Sequence, residues 1–215
     1  MNLKILLSGA KGRMGSAIQS ISSDHDCTVS YPIDLGDNPE DGMEHCDVVI
    51  DFSLRDATLS LAQLAKEHNK PMVIGTTGHS KEDRHAIEQL SNFIPMVWAG
   101  NFSTGVNLLF FLTQQAAKVL DLNSGFDPEV IEMHHRLKKD APSGTADRLL
   151  EILKESRNAS DEDISHGREG TPGERNVNEI GSHALRGGDI VGEHTVMFAG
   201  MGERIELTHR ATDRV

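Results

Sequence analysis

The feature that most constrains the fold is the alternation of short apolar runs with longer helical segments over the first hundred residues. The apolar runs predict strands at 3–8, 28–33, 48–52, 72–75 and 96–99. The spacing of apolar residues predicts helices at 15–22, 55–69 and 81–90. Strands that alternate with helices form β-α-β units, in which the strands lie parallel. The sequence therefore predicts an α/β fold with a doubly wound parallel sheet in residues 1–103.

A glycine-rich turn joins the first predicted strand to the first predicted helix. Gly9, Gly12 and Gly15 have the spacing G-x-x-G-x-x-G, a variant of the Rossmann fingerprint that places a pyrophosphate at a helix N-terminus. Asp34 ends the second strand, where a carboxylate binds the ribose hydroxyls of a dinucleotide. The alternatives are a turn that serves tight packing alone and, for Asp34, an ordinary turn residue.

Two further turns follow the fourth and fifth predicted strands, at the edge where open α/β sheets bind ligands. They complete a predicted dinucleotide site in a Rossmann-like domain. The predicted cofactor-binding residues are Gly9, Ala10, Lys11, Gly12, Arg13, Met14, Asp34, Gly75, Thr76, Thr77, Ala99, Gly100, Asn101 and Phe102.

After residue 101 the pattern changes from β-α repeats to longer and less regular elements. The sequence predicts a helix at 104–120, a strand ending near 134 and a helix at 143–156, followed by a polar, glycine-rich loop. Alternating apolar and polar residues at 191–198 and 204–208 predict antiparallel strands with one covered face. Residues 104–215 are therefore expected to form a C-terminal α+β domain whose sheet needs a partner face.

The stretch 132–145 combines two histidines, three cations and a helix-start signal. Pro142 favours the first turn of a helix, whose open amides at Gly144 and Thr145 would face a carboxylate or phosphate. His134 and His135 end a strand, so their side chains should point to opposite sides. The alternatives are a surface pair of histidines and a solvated run of charges.

Composition excludes several classes of partner. A net charge of −12 argues against binding to nucleic acid or to an anionic membrane, since both need a broad basic surface. No apolar stretch approaches the about 18 residues that span a bilayer, and the first apolar run is too short for a signal peptide. Two cysteines, Cys27 and Cys46, suit a reducing compartment, so a cytoplasmic location is expected.

No metal site is expected from the sequence. The other histidines near the functional motifs are scattered along the chain, and no acid-rich cage accompanies them. These histidines are His79, His183, His194 and His209.

Together these motifs resemble the 4-hydroxy-tetrahydrodipicolinate reductase family, also called dihydrodipicolinate reductase. The resemblance runs nearly end to end, and its most specific part is the block from His134 to Thr145. It also includes the glycine turn and the segments 51–53, 75–78, 101–107 and 187–195.

The resemblance implies an enzyme of lysine biosynthesis, on the diaminopimelate route. Such enzymes use NADH or NADPH to reduce a cyclic imine that carries two carboxylates, with loss of water from the hydroxylated substrate. His134 matches the proton donor and Lys138 a second catalytic donor. His135, Ser143, Gly144 and Thr145 match substrate-binding positions. The C-terminal domain would then bind substrate and build a homotetramer through its sheet.

Two departures from the family pattern affect these expectations. Leu35 stands where many members have an arginine that pairs with the 2′-phosphate of NADPH, although Lys11 or Arg13 could replace that charge. We therefore expect use of both cofactors, with NADH at least competitive. The sequence ends at Val215, where relatives continue into a helix, so either this sequence lacks the tail or the chain is natively short.

The last loop and two other functions remain open at this stage. Arg168, Gly170, Arg175, His183 and Arg186 are candidates for closing the site. One alternative function is another nicotinamide-dependent oxidoreductase, such as a semialdehyde dehydrogenase, against which the lack of a cysteine in the second half argues. The other is a non-catalytic, cofactor-sensing protein on the same fold.

Overall fold

The structure, a computed structural model, describes residues 2–213 and divides into two compact units. The first unit ends at Gly100 and the second begins at Asn101. Residues 214 and 215 lie outside the described residues. The expectation about a C-terminal helix concerns this end of the chain and stays a prediction. No helix among the described residues is long and apolar enough to cross a membrane.

The first unit is a five-stranded parallel sheet with four α-helices between its strands. The strands are β1 (Leu3–Ser8), β2 (Cys27–Ile33), β3 (Val48–Asp51), β4 (Met72–Ile74) and β5 (Met96–Trp98). The helices are α1 (Arg13–Ile21), α2 (Glu40–Met43), α3 (Arg55–Glu67) and α4 (Lys81–Leu90). The predicted Rossmann-like sheet is confirmed, and the short helix α2 was not predicted.

The strand order β2-β1-β3-β4-β5 places the glycine turn at the point where the order reverses. The chain leaves β1 toward β2 on one side and continues through β3 on the other, which is where such sheets bind ligands. Gly9 has a φ of +80°, and a Cβ there would lie 2.3 Å from the carbonyl oxygen of Phe52. Only glycine therefore allows the turn to approach the end of β3.

Buried aspartate Asp51 fixes the ends of β3 and β4. Its carboxylate accepts hydrogen bonds from the hydroxyl groups of Ser53, Thr58 and Thr76, at 2.7 Å for Thr58 and 2.9 Å for Thr76. Thr58 belongs to α3, so this one side chain joins the helix to two strand ends. A fully buried carboxylate is tolerated because its oxygens are hydrogen-bonded.

The second unit is a five-stranded mixed sheet with two long helices, α5 (Thr104–Val119) and α6 (Gly144–Arg157). Its strands are β6 (Asp127–His134), β7 (Ile164–Ser165), β8 (Ile180–Arg186), β9 (Gly192–Gly200) and β10 (Glu203–Ala211). Their order is β10-β9-β6-β8-β7, with β6 antiparallel to β9 and parallel to β8. Buried residues of β6, β8 and β9 pack with α5 and α6 in one apolar core.

The sequence did not predict strands β7 and β8. Strand β8 contains Gly181, Ser182 and His183, which have little intrinsic preference for strands. Pairing with β6 holds it in the sheet along six residue pairs, from Glu129–Gly181 to His134–Arg186. Tertiary pairing, rather than local sequence, therefore determines this strand.

Candidate active site

Three adjacent strands of the second sheet bring a group of polar side chains together on its covered face. Glu132 and His134 lie two and four residues after the core residue Val130 in β6, so their side chains share its face of the sheet. In the strand register, His194 of β9 lies opposite Glu132, and Arg186 of β8 lies opposite His134. Residues distant in sequence therefore converge at one end of β6.

The Glu132 carboxylate lies at the centre of this group and is 1% exposed. Arg186 donates to both of its oxygens, at 3.0 and 2.7 Å. The backbone amide of Ser143 donates to one oxygen at 3.3 Å, and His134 Nδ1 bonds the other. Because a carboxylate only accepts, Nδ1 carries the proton and Nε2 is the basic nitrogen of the neutral ring.

Burial and charge act against each other in this pair. Burial raises the pKa of Glu132, but hydrogen bonds from Arg186 and His134 outweigh it, so the pKa lies below the usual range. Burial lowers the pKa of His134 below 6.5, although the Glu132 carboxylate opposes that shift. His134 is therefore neutral near pH 7 in the free protein, beside an ionised Glu132.

His194 extends the group toward helix α6. Its ring meets that of His134 edge to face, with centroids 5.1 Å apart. Its Nε2 lies 3.1 Å from the hydroxyl oxygen of Ser143. Burial lowers the pKa of His194 to about 4, and its Nδ1 atom has no partner among the described residues. His194 is therefore a neutral ring held between strand and helix.

Helix α6 begins one residue after Ser143, whose hydroxyl accepts a bond from the amide of Ala146 at 3.3 Å. The expectation that Pro142 lies in the first turn is wrong, because Ser143 is the capping residue and Pro142 precedes it. Helix geometry leaves the amides of Gly144 and Thr145 without partners in the helix. A Cβ on Gly144 would meet nothing within 4 Å, so the space beside the first residue of the helix is open.

The loop between β6 and α6 carries the cationic side chains of the predicted anion site. Lys138 donates two bonds to the carboxylate of Asp140, at 3.0 and 2.8 Å. Burial raises the pKa of Asp140, but the bond from Lys138 outweighs it and the pKa is lowered. His135 is half-buried, and its Nδ1 atom has no partner among the described residues. His135 and Lys138 thus lie in the segment that joins His134 to the helix start.

Two expectations about outlying residues are wrong. His194 is not scattered, because it lies beside His134. The loop residues Arg168 and Arg175 do not close this site, since both pair with Glu129 and Glu179. His183, another candidate for closing the site, also bonds the Glu129 carboxylate, at 2.7 Å. Of the loop candidates, Arg186 is the one that contacts Glu132.

Glu132, His134 and His194 have potential ligand atoms within 4.8 Å of one another. Hydrogen bonds already connect these residues: Arg186 and His134 bond the Glu132 oxygens, and the Ser143 hydroxyl bonds His194 Nε2. The Arg186 guanidinium also supplies the positive charge beside the carboxylate. We therefore interpret the group as a hydrogen-bond network.

In the first unit, hydrogen bonds tie the glycine turn to the end of β2. The Asp34 carboxylate accepts bonds from the amides of Lys11 and Leu35, at 2.8 and 2.9 Å. These two bonds lower the pKa of Asp34. The amides of Gly9 and Ala10 donate to the carbonyl of Ile33, both at 3.0 Å. The structure therefore brings Asp34 and the glycine turn together.

The start of helix α1 has the features that a pyrophosphate needs. Gly12 caps the helix without a side-chain hydrogen bond, so the amides of Arg13 and Met14 have no capping partner. A Cβ on Gly15 would lie 2.2 Å from the carbonyl oxygen of Gly9. Glycine at position 15 therefore allows the helix to approach the turn closely. These residues fit a dinucleotide through open amides at a positive helix end.

The remaining predicted cofactor residues divide between the two units. Thr76 is buried and bonds Asp51, and a Cβ on Gly75 would overlap the ring of Phe52, so these positions shape the strand ends. Thr77, Ala99 and Gly100 also lie in the first unit. Asn101 and Phe102 belong to the second, where the Asn101 amide donates to the Thr145 hydroxyl at 3.4 Å. Asn101 thus lies beside a predicted substrate residue.

Comparisons with known proteins give one family match for each part of the chain. Residues 3–102 match the family described as dihydrodipicolinate reductase, N-terminus, and residues 105–215 match its C-terminus. The chain is 49% identical over 215 residues to a 4-hydroxy-tetrahydrodipicolinate reductase of Akkermansia muciniphila, covering 99% of this chain and 87% of that protein. A reductase of the same name from Campylobacter jejuni is 44% identical over 214 residues, with the same two coverages.

One solved structure has the same fold over the whole chain. It is a dipicolinate-bound dihydrodipicolinate reductase from Paenisporosarcina sp. TG-14, with a TM-score of 0.76 and 24% identity. The superposition covers 100% of this chain and 89% of that one.

The buried neutral state of His194 predicts a pH-dependent stability. Because its pKa is about 4 in the folded protein and 6.5 when exposed, its contribution is complete above pH 6.5 and is lost as the pH falls toward 4. At pH 5 the loss should be about 2 kcal/mol. Urea unfolding of the wild type and His194→Gln at pH 7 and pH 5 measures it. Equal losses in the two proteins would contradict the prediction.

Proposed function

This chain belongs to the dihydrodipicolinate reductase family, and on that premise we propose how its own residues perform the family's reaction. It is an NAD(P)H-dependent oxidoreductase that reduces 4-hydroxy-tetrahydrodipicolinate to tetrahydrodipicolinate with loss of water. This step belongs to the diaminopimelate route of lysine biosynthesis. The observation that supports the residue roles best is a buried histidine with a fixed tautomer, His134, on the strand that leads through one loop to the helix start at Gly144.

The first unit would hold the dinucleotide at the glycine turn and at Asp34. The amides of Arg13 and Met14 would bind the pyrophosphate, and the Asp34 carboxylate would accept hydrogen bonds from the ribose hydroxyls. Gly75, Thr77, Ala99 and Gly100 complete the cofactor site at the ends of β4 and β5. When bound, the reduced nicotinamide supplies the hydride.

The start of α6 would bind a substrate carboxylate. The amides of Gly144 and Thr145 donate to it, and the Thr145 hydroxyl adds a third donor, while Ser143 fixes the helix start. His135 contacts the substrate from the preceding loop. The positive end of the helix strengthens these bonds to an anion.

His134 would deliver the proton that balances the negative charge built by hydride addition. Its ring is neutral in the free protein, but a dianionic substrate raises its pKa and favours the imidazolium. Glu132 stabilises that cation through Nδ1, which leaves Nε2–H as the donor. Lys138 stabilises the developing charge and acts as a second donor, with Asp140 holding its ammonium group in place.

The second sheet is proposed to assemble a homotetramer. Its face opposite the helices carries Ile131, Met133 and Met197, which are only half-buried in the single chain. Apolar residues on an uncovered sheet face favour contact with other copies of the chain. We also place the enzyme in the cytoplasm, because its two cysteines are free thiols and suit a reducing compartment. No nucleic-acid or membrane partner is proposed.

Turnover tests the function directly. The purified protein, with substrate freshly made by the preceding synthase, should consume nicotinamide absorbance only when substrate is present. Cofactor binding without turnover would favour a sensing protein. Turnover with a semialdehyde instead would favour another oxidoreductase.

The role of His134 predicts the effect of His134→Gln. The value of kcat should fall roughly 10²-fold or more, because general acid catalysis commonly contributes about 10²–10⁴-fold. Wild-type kcat/KM should decline as the pH rises through the lowered pKa of His134, since the protonated ring is required. Steady-state kinetics measures both, with the cofactor Kd as the control. Near-normal turnover in the folded variant would remove this role.

The open space at Gly144 predicts that Gly144→Ala leaves the fold intact but blocks substrate. The added methyl meets no protein atom within 4 Å, so the free energy of unfolding should change by less than about 0.5 kcal/mol. The KM for substrate should rise about 10-fold or more because the methyl occupies the space before the amides. If NADH binding falls instead and KM is unchanged, the helix start faces the cofactor.

The exposed side chain of Leu35 predicts a change in cofactor preference. Leu35 is 89% exposed and offers nothing to a 2′-phosphate, whereas Leu35→Arg adds a cation next to Asp34. The ratio of kcat/KM for NADPH over NADH should rise about 10-fold, or about 1.4 kcal/mol. Kinetics with both cofactors measures it, and Lys11→Ala is the comparison. An unchanged ratio in Leu35→Arg, with NADPH use lost in Lys11→Ala, would move phosphate recognition to the glycine turn.

A further inference from the structure

One arginine contacts both segments that carry the proposed proton donors. Arg186 donates to the two oxygens of Glu132 at 3.0 and 2.7 Å, and to the carbonyl oxygen of Asp140 at 2.7 Å. Glu132 accepts the Nδ1 hydrogen of His134, and the Asp140 carboxylate accepts two bonds from Lys138. Arg186 therefore contacts the hydrogen-bond partner of each proposed donor: Glu132 for His134, and Asp140 for Lys138.

We propose that Arg186 and Glu132 are positioning residues that set the tautomer and the proton affinity of His134 and hold Lys138 near it. Neither residue needs to touch the substrate, since each acts through the side chain or loop that it bonds. The effect on turnover rests on the proposed function, whereas the effect on the His134 ring follows from these hydrogen bonds alone.

The geometry favours a role beyond packing. Glu132 accepts four hydrogen bonds, which come from His134, Ser143 and the two terminal nitrogens of Arg186. A carboxylate saturated in this way has one orientation, so the ring that it bonds is also fixed. The two-pronged contact needs the planar guanidinium, which a lysine ammonium cannot reproduce.

The titratable and charged groups that act on His134 come from its own strand, the two neighbouring strands and the following loop. Glu132 lies on its own strand, Arg186 on β8, His194 on β9 and Lys138 on the following loop. The carboxylate favours the imidazolium, while Arg186 and Lys138 disfavour it. His194 is neutral near pH 7. Removing Glu132 and removing Arg186 should therefore shift the titration of His134 in opposite directions.

Nuclear magnetic resonance of ¹⁵N-histidine-labelled protein without substrate tests this directly, with His134→Gln assigning the signal. We expect the wild-type neutral ring to carry its proton on Nδ1. In Glu132→Gln the pKa of His134 should fall by about one pH unit, and in Arg186→Met it should rise by about one. Arg186→Lys keeps the charge, so its His134 pKa should stay near the wild-type value.

Kinetics supplies the second measurement. The fall of kcat/KM with rising pH should move to lower pH in Glu132→Gln and to higher pH in Arg186→Met. Arg186→Lys should lose about 10-fold in kcat with little change in substrate KM. The two-pronged contact of the guanidinium with Glu132 is lost, while the amides proposed to bind the substrate carboxylate remain. The matched control is Arg168→Met, which removes an arginine paired with Glu129 and should change neither measurement.

Shifts of the same sign in the two variants, or no shift in either, would overturn the proposal. If Arg186→Met does not fold, the double variant Glu132→Gln/Arg186→Met leaves no uncompensated buried charge. Its His134 pKa should then exceed that of Glu132→Gln alone, and an equal or lower value would refute the role of Arg186. Opposite shifts in a protein without turnover would uphold the positioning and refute the proposed function.

Discussion

The second unit depends on the burial of one carboxylate. Glu132 is stable inside the protein only because Arg186 supplies the opposite charge and the remaining lone pairs are filled by His134 and Ser143. These partners come from β6, β8 and the start of α6, so the charge fixes the relative placement of three elements. Packing of the apolar core brings the elements together, and this carboxylate specifies how they meet. The candidate active site is thus also part of the fold's polar interior.

The two units prepare recognition in different ways. In the first, backbone amides and glycines dominate, and the Asp34 carboxylate ties the turn to β2 through the Lys11 amide. Such a surface recognises phosphate and ribose, which are common to all nicotinamide dinucleotides. In the second, buried side chains bond one histidine, and helix α6 begins with amides that have no partner in the helix. The first unit therefore relies mainly on backbone groups, whereas the second unit relies on buried side chains.

The sequence predicted the elements whose periodicity reflects their own burial. The β-α alternation, the glycine turn and helix α6 could be found because each carries a local signal. Strand β8 could not, since Gly181 and its neighbours become a strand only by pairing with β6. Glu132 was present in the functional block, and its two-residue spacing from His134 on a strand was the available signal. Nothing local reveals that His194 and Arg186 join them, because strand register decides which side chains meet.

The register of β6 against β8 and β9 has a consequence for how this protein acquires activity during folding. Side chains alternate across a sheet with a period of two, so pairing displaced by one residue would carry Arg186 to the opposite face. Glu132 would then be buried without its counter-charge, a state that costs several kcal/mol. Sheets with shifted register are therefore destabilised at the position of Glu132. The carboxylate that orients the His134 ring therefore also disfavours incorrect pairing of the sheet.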